Sequence, residues 1–104
     1  MDTVNFKMMV KGEDNKAPYQ IERTGEFMTL RFAGEDVKCV ACEDSLTHYP
    51  SGYKIGNLEN YKFSSSNMDI SNKDAALLLI DELERKFTKE EILKRLNTAP
   101  VINF

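Results

Sequence analysis

The chain has 104 residues, 41% hydrophobic and 30% charged, which fits one globular domain over 1–104 rather than two. Its formal net charge of −3 is the wrong sign for gripping a phosphate backbone, and its longest apolar run, Ala75–Ile80, is too short to cross a bilayer. The opening residues carry no basic segment followed by an apolar one, so Cys39 and Cys42 are expected as reduced thiols in a cytoplasm.

The acidic excess is local. Residues 72–97 carry six basic and six acidic side chains, so the deficit lies before them. Three acidic pairs, Glu13-Asp14, Glu35-Asp36 and Glu43-Asp44, contribute to it and read as solvated turns.

The first half alternates with period two, the mark of strands with one buried face. "VNFKMMV" places Val4, Phe6, Met8 and Val10 on one side, "YQIER" Tyr19 and Ile21, "EFMTLRFA" Met28, Leu30 and Phe32, and "VKCVAC" Val37, Cys39 and Ala41. The long link "KGEDNKAP" lets Val10 face Tyr19. Thr24-Gly25 reads as a two-residue hairpin loop that sets Ile21 against Met28 and Arg23 against Glu26. A loop centred on Gly34-Glu35 sets Phe32 against Val37, Leu30 against Cys39 and Arg31 against Lys38. These signals predict a four-stranded antiparallel meander.

Between residues 43 and 70 the pattern is irregular. Pro50 and Gly52 indicate a loop leading into a short strand near Tyr53–Ile55, and "ENYKFSSS" is expected to add another strand with Tyr61 and Phe63. "SSSNMD" is expected as a loop. The period then becomes helical. Ser71 with Asp74 resembles a capping box with a shorter acid, and Ala76, Leu79, Ile80, Leu83 and Phe87 form one stripe. Thr88 with Glu91 starts a second helix, stapled by Phe87 and Ile92, that runs to about Asn97 before Pro100. The fold class expected is α+β: an antiparallel sheet of four or five strands with two consecutive C-terminal helices on one face. The strand-rich part covers 1–63, the helical part 71–97 and the apolar tail 98–104. The tail "VINF" is expected to pack on the core or pair with a strand edge.

C-x-x-C at Cys39 and Cys42, followed by the chain's one histidine, His48, is the sole metal or thiol candidate. Residues three apart on a strand point to opposite faces, so the two thiols do not converge. A redox thiol needs a helix amino end, and zinc needs about four ligands. Cys39 therefore reads as a core residue and Cys42 as one on the opposite face. No cofactor is expected. His48 has no motif partner, and no phosphate loop, metalloprotease or serine-hydrolase pattern occurs. An enzyme is not expected.

Phe27, Thr29, Val40 and Cys42 form an apolar cluster on the face away from the helices, where residues 43–70, a partner or a second copy could cover it. Leu78 on the polar side of its helix, and Val101, Ile102 and Phe104 in the tail, are further partner-binding candidates. The expectation is a small non-enzymatic interaction protein that occupies a macromolecular partner. An inhibitor, an immunity factor or an accessory subunit from a bacterial or phage gene would fit. A homo-oligomer through the Phe27 face or the tail is the alternative, with a thiol or zinc site on Cys39, Cys42 and His48 third.

Overall fold

A computed structural model describes residues 2–10, 12, 14, 17–64 and 70–103. The loop expected over 64–69, apart from Ser64, and the tail candidate Phe104 lie outside the described residues. Five strands form one antiparallel meander in chain order: β1 (Thr3–Val10), β2 (Tyr19–Phe32), β3 (Glu35–Cys42), β4 (Ser45–His48) and β5 (Lys54–Asn57). Helices α1 (Glu59–Ser64), α2 (Asn72–Lys86) and α3 (Lys89–Thr98) follow. The α+β architecture is the one expected, and α2 contacts β2 and β3.

Thr24-Gly25 is not a hairpin loop. The chain runs straight through it, so the two expected strands are one strand of 14 residues. β1 pairs with the first half of β2, from Val10 opposite Tyr19 to Thr3 opposite Glu26. β3 pairs with the second half, from Glu26 opposite Ala41 to Phe32 opposite Glu35. Gly25 marks the place where β3 presses against β2. A Cβ there would sit 2.5 Å from Val40 Cγ1 and 2.7 Å from the Ala41 carbonyl oxygen. The glycine thus serves close backbone approach within a strand, not a turn.

The β2–β3 turn is Ala33-Gly34, one residue earlier than expected, and both residues have left-handed φ of 53° and 83°. Such a turn matches the twist of the strands it joins. The register moves by two: Leu30 faces Val37 and Met28 faces Cys39. Two is the period of the strand, so Met28, Leu30, Phe32, Val37, Cys39 and Ala41 keep their expected face, whereas Tyr19 and Ile21, at odd positions of the same continuous strand, fall on the other. The shift does change one cross-strand pair. Arg31 lies opposite Asp36, 3.3 Å away as an exposed ion pair, and not opposite Lys38.

Two further expectations are corrected between 43 and 64. Ser45–His48 is a strand, formed because the Glu43-Asp44 turn sends the chain straight back along β3. Glu59–Ser64 is a helix, not a strand. Leu58, wholly buried, anchors its start, donating its N–H to the Asp44 carbonyl and accepting from Lys62 N–H. The helix starts of α2 and α3 are as expected. Ser71 Oγ accepts from Asp74 N–H, and Thr88 and Glu91 form a reciprocal capping box.

The sheet has a core on each face. The larger lies under the helices and includes Met28, Leu30, Phe32, Val37, Cys39, Leu46, Leu58, Ala76, Leu79, Ile80 and Ile92. The smaller comprises Phe6, Val40 and Cys42, with Val4, Met8, Phe27 and Tyr49 against them. The alternating apolar face of β1 therefore serves the second core and not the helix side. Phe6 pairs with Arg23, an odd-numbered residue of β2, so it shares the face of Gly25 and Phe27.

The sheet curls until the outer edge of β1 meets the β4–β5 connection. Met9 N–H donates to the Gly52 carbonyl at 2.8 Å. Gly52 has φ of 73°, and a Cβ on it would lie 2.5 Å from the Lys7 carbonyl oxygen. The tail completes this seam. Ile102 and Asn103 N–H both donate to the Pro50 carbonyl. Asn103 Oδ1 accepts from Lys7 N–H at 2.8 Å, while Nδ2 donates to the carbonyls of Lys7 at 2.8 Å and Tyr49 at 2.7 Å. The tail docks without becoming a strand, by its main chain on the β4–β5 connection and by the Asn103 side chain on the edge of β1. At Lys7 and Met9 the edge strand thereby finds partners for polar backbone groups that it would otherwise expose.

Candidate functional site

The sheet-face candidates are not an open surface. Val40 and Cys42 are buried, Phe27 is half-buried and Thr29 is exposed. The cover comes from Val4, Phe6 and Met8 of β1 and from Tyr49. Tyr49 meets the Phe27 ring edge-on, with centroids 5.4 Å apart. Cys42 lies opposite Ser45, and its Sγ approaches the Thr24 carbonyl at 3.6 Å.

The C-x-x-C pair divides as expected. Cys39 belongs to the helix-side core and Cys42 to the other, and both thiols are free. Burial pushes the Cys39 thiol up to about 12. The Cys42 thiol is also raised, first by burial and then by the Glu43 carboxylate, with Arg23 pulling the other way. Thiols held in the neutral form are poor nucleophiles and poor metal ligands. No group of three or more metal-ligating side chains comes together among the described residues.

His48 is placed differently from Cys42. It pairs with Cys39 across β3–β4, so its side chain shares the helix-side face. It is 9% exposed and lies at the mouth of the β4–β5 connection. The connection is tight: His48 N–H donates to the Tyr53 carbonyl and Gly52 N–H to the His48 carbonyl. This brings Ser51, 0% exposed, to the ring, with Oγ 2.7 Å from His48 Nδ1. Ser51 Oγ also accepts from Tyr53 N–H at 3.2 Å. Burial holds the imidazole below its ordinary pKa and so favours the neutral ring.

The same face opens into a groove of about 480 Å³ between the β4–β5 hairpin and α2–α3. Phe32, Ile55, Leu83, Ile92 and Leu96 make its apolar body, and Tyr53 and Phe87 stand exposed beside it. Thr98, Ala99 and Pro100, at the root of the docked tail, form one wall. Its charged lining is Lys54, Arg95 and Glu91. Glu91 Oε1 is engaged by Thr88 N–H and Oγ–H, and the Arg95 guanidinium lies 5.6 Å from the centre of the Phe87 ring. The groove escaped the sequence because it draws residues from four separate segments. The sequence singled out His48 but offered no sign of its partner Ser51, three residues on.

Leu78 is 47% exposed and its neighbour Leu77 is 44% exposed, both on the solvent side of α2. Val101 is exposed and Ile102 half-buried. No helix among the described residues is long and apolar enough to cross a membrane. No family model, no curated protein and no solved structure matches the chain.

Proposed function

We propose that this chain is a small non-enzymatic cytoplasmic protein that acts by binding a macromolecular partner, in the manner of an inhibitor, an immunity factor or an accessory subunit. The observation that carries this reading is the pair Leu77 and Leu78. The two adjacent leucines stand nearly half exposed on a helix whose core side is already supplied by Ala76, Leu79 and Ile80. Covering both in an interface gains on the order of 1–2 kcal/mol each. Val101 adds a third exposed apolar side chain at the tail.

The His48–Ser51 pair does not compete with this reading. The Ser51 hydroxyl has no exposed surface although it borders the groove, and its bond holds the His48 ring. The covered Phe27–Val40–Cys42 face also moves attention to the helix surface.

The test is co-purification from the native host with wild type and a Leu77→Lys/Leu78→Lys variant, after matching their urea midpoints. A protein retained by wild type and lost from the variant supports the reading. Equal recovery by both, or a strict monomer that recovers nothing, sinks it.

A further inference from the structure

We propose that the groove between the β4–β5 hairpin and α2–α3 is a binding site for a small apolar carboxylate, whose acid group is received by His48 Nε2–H, Lys54 and Arg95.

Ser51 decides which nitrogen of the His48 ring carries the proton. Its Oγ is wholly buried, and among the described residues it has two partners. Tyr53 N–H is a donor only, so the one acceptor within reach of the Ser51 proton is His48 Nδ1. A proton on Nδ1 would strand the serine O–H in the interior without a partner, at a cost of about 1–3 kcal/mol. The ring is therefore the Nε2–H tautomer. Nε2 has no partner among the described residues, and His48 lines the groove. A nine-tenths buried side chain thus offers a hydrogen-bond donor to an apolar space.

The charge around that space has one sign to spare. Lys54 and Arg95 are exposed and in no ion pair among the described residues. The one acid on the lining, Glu91, keeps its charge but turns Oε1 to the Thr88 cap, which leaves the lining with one positive charge in excess. A donor with two cations beside an apolar body complements a molecule with an anionic head and an apolar tail. A volume of about 480 Å³ suits a small molecule. This site is independent of the leucine surface on α2, and either can fail without the other.

Decanoate, kept below its micellar range, is the probe, with 1-decanol as the uncharged control. Binding is followed by NMR on the full chain. The expected result is a preference for decanoate of about tenfold or more. Shifts should centre on the Leu83 and Leu96 methyls and the His48 ring nitrogens. The free protein should show the Nε2–H tautomer. Lys54→Gln and Arg95→Gln, both surface changes that leave the fold intact, should each weaken decanoate several-fold and leave decanol unchanged. Equal binding of acid and alcohol, no binding of either, an Nδ1–H tautomer, or shifts confined to the leucine surface of α2 would each overturn the proposal.

Discussion

Asn103 holds Lys7 by both of its main-chain polar groups, across 96 residues of sequence: the carboxamide accepts from Lys7 N–H and donates to its carbonyl. One side chain thus does what a neighbouring strand would do for β1, and its second amide proton ties Tyr49 to the same point. Asn103→Ala is expected to lower stability by about 1–3 kcal/mol, as three modest hydrogen bonds are lost. Asn103→Asp should be worse at neutral pH, because a carboxylate would face two carbonyl oxygens. Urea midpoints give the order, and loss of hydrogen-exchange protection at the Lys7 amide locates the cause.

Gly25 separates the continuous strand from a hairpin by experiment. A hairpin loop would accept Asn in place of this glycine. The observed strand leaves no room for any Cβ against Val40 and the Ala41 carbonyl. Gly25→Asn should cost about 3 kcal/mol or abolish folding, while the exposed neighbour change Thr24→Val should stay within about 1 kcal/mol. Thermal unfolding of both variants decides the matter.

Two buried groups set the pH limits of stability. His48 binds a proton less readily when folded than its ordinary value of 6.5. Below that value the unfolded chain takes up the proton first. The stability is complete above about 6.5 and drains away as pH falls from there. Cys39 works at the other end. Its thiol ionises near 9.0 in an unfolded chain but near 12 when folded. Stability is therefore intact below 9.0 and falls across that window, by up to about 1.4 kcal/mol per pH unit. Urea midpoints between about pH 5 and pH 10.5 should show both slopes, and Cys39→Ala should flatten the alkaline one, leaving the part that the raised Cys42 thiol contributes.

Glu43 carries left-handed φ of 55° in the β3–β4 turn, where a residue with a Cβ is strained. Glu43→Asn should raise stability by about 0.5–1 kcal/mol, since Asn tolerates this conformation. The same change removes a negative charge beside Cys42 and should lower the pKa of that thiol. In the native protein a thiol reagent should label Cys42 far more slowly than in urea, and labelling in the variant should begin at lower pH.

The faces of β3 and of the second half of β2 could be read from the sequence even where their turn could not, whereas β1 and the first half of β2 turn their apolar residues to the opposite face because Thr24-Gly25 is not a turn. Leu30, Cys39 and Ala41 fall on the expected side although the loop was misplaced, because a shift of two residues preserves the alternation. Helix starts were readable for a similar reason: Ser71 and Thr88 act within one turn, on neighbours in sequence. Gly25 shows where local reading fails. Its Thr-Gly pair has turn chemistry, and only the distant residues Val40 and Ala41 require it to be a close approach. The groove is less readable still, since Phe32, His48, Leu83 and Leu96 share no local signal.

The Asn103–Lys7 latch also bears on the order of events in folding. Its closure encloses almost the entire chain, so its entropy cost is met only after the nearby strands have paired. The Ala33-Gly34 hairpin, by contrast, joins strands that are adjacent in sequence. The latch therefore belongs to the late side of the barrier. Loss of Asn103 should leave the refolding rate almost unchanged and speed unfolding, so this side chain governs the lifetime of the native molecule rather than the time it takes to form.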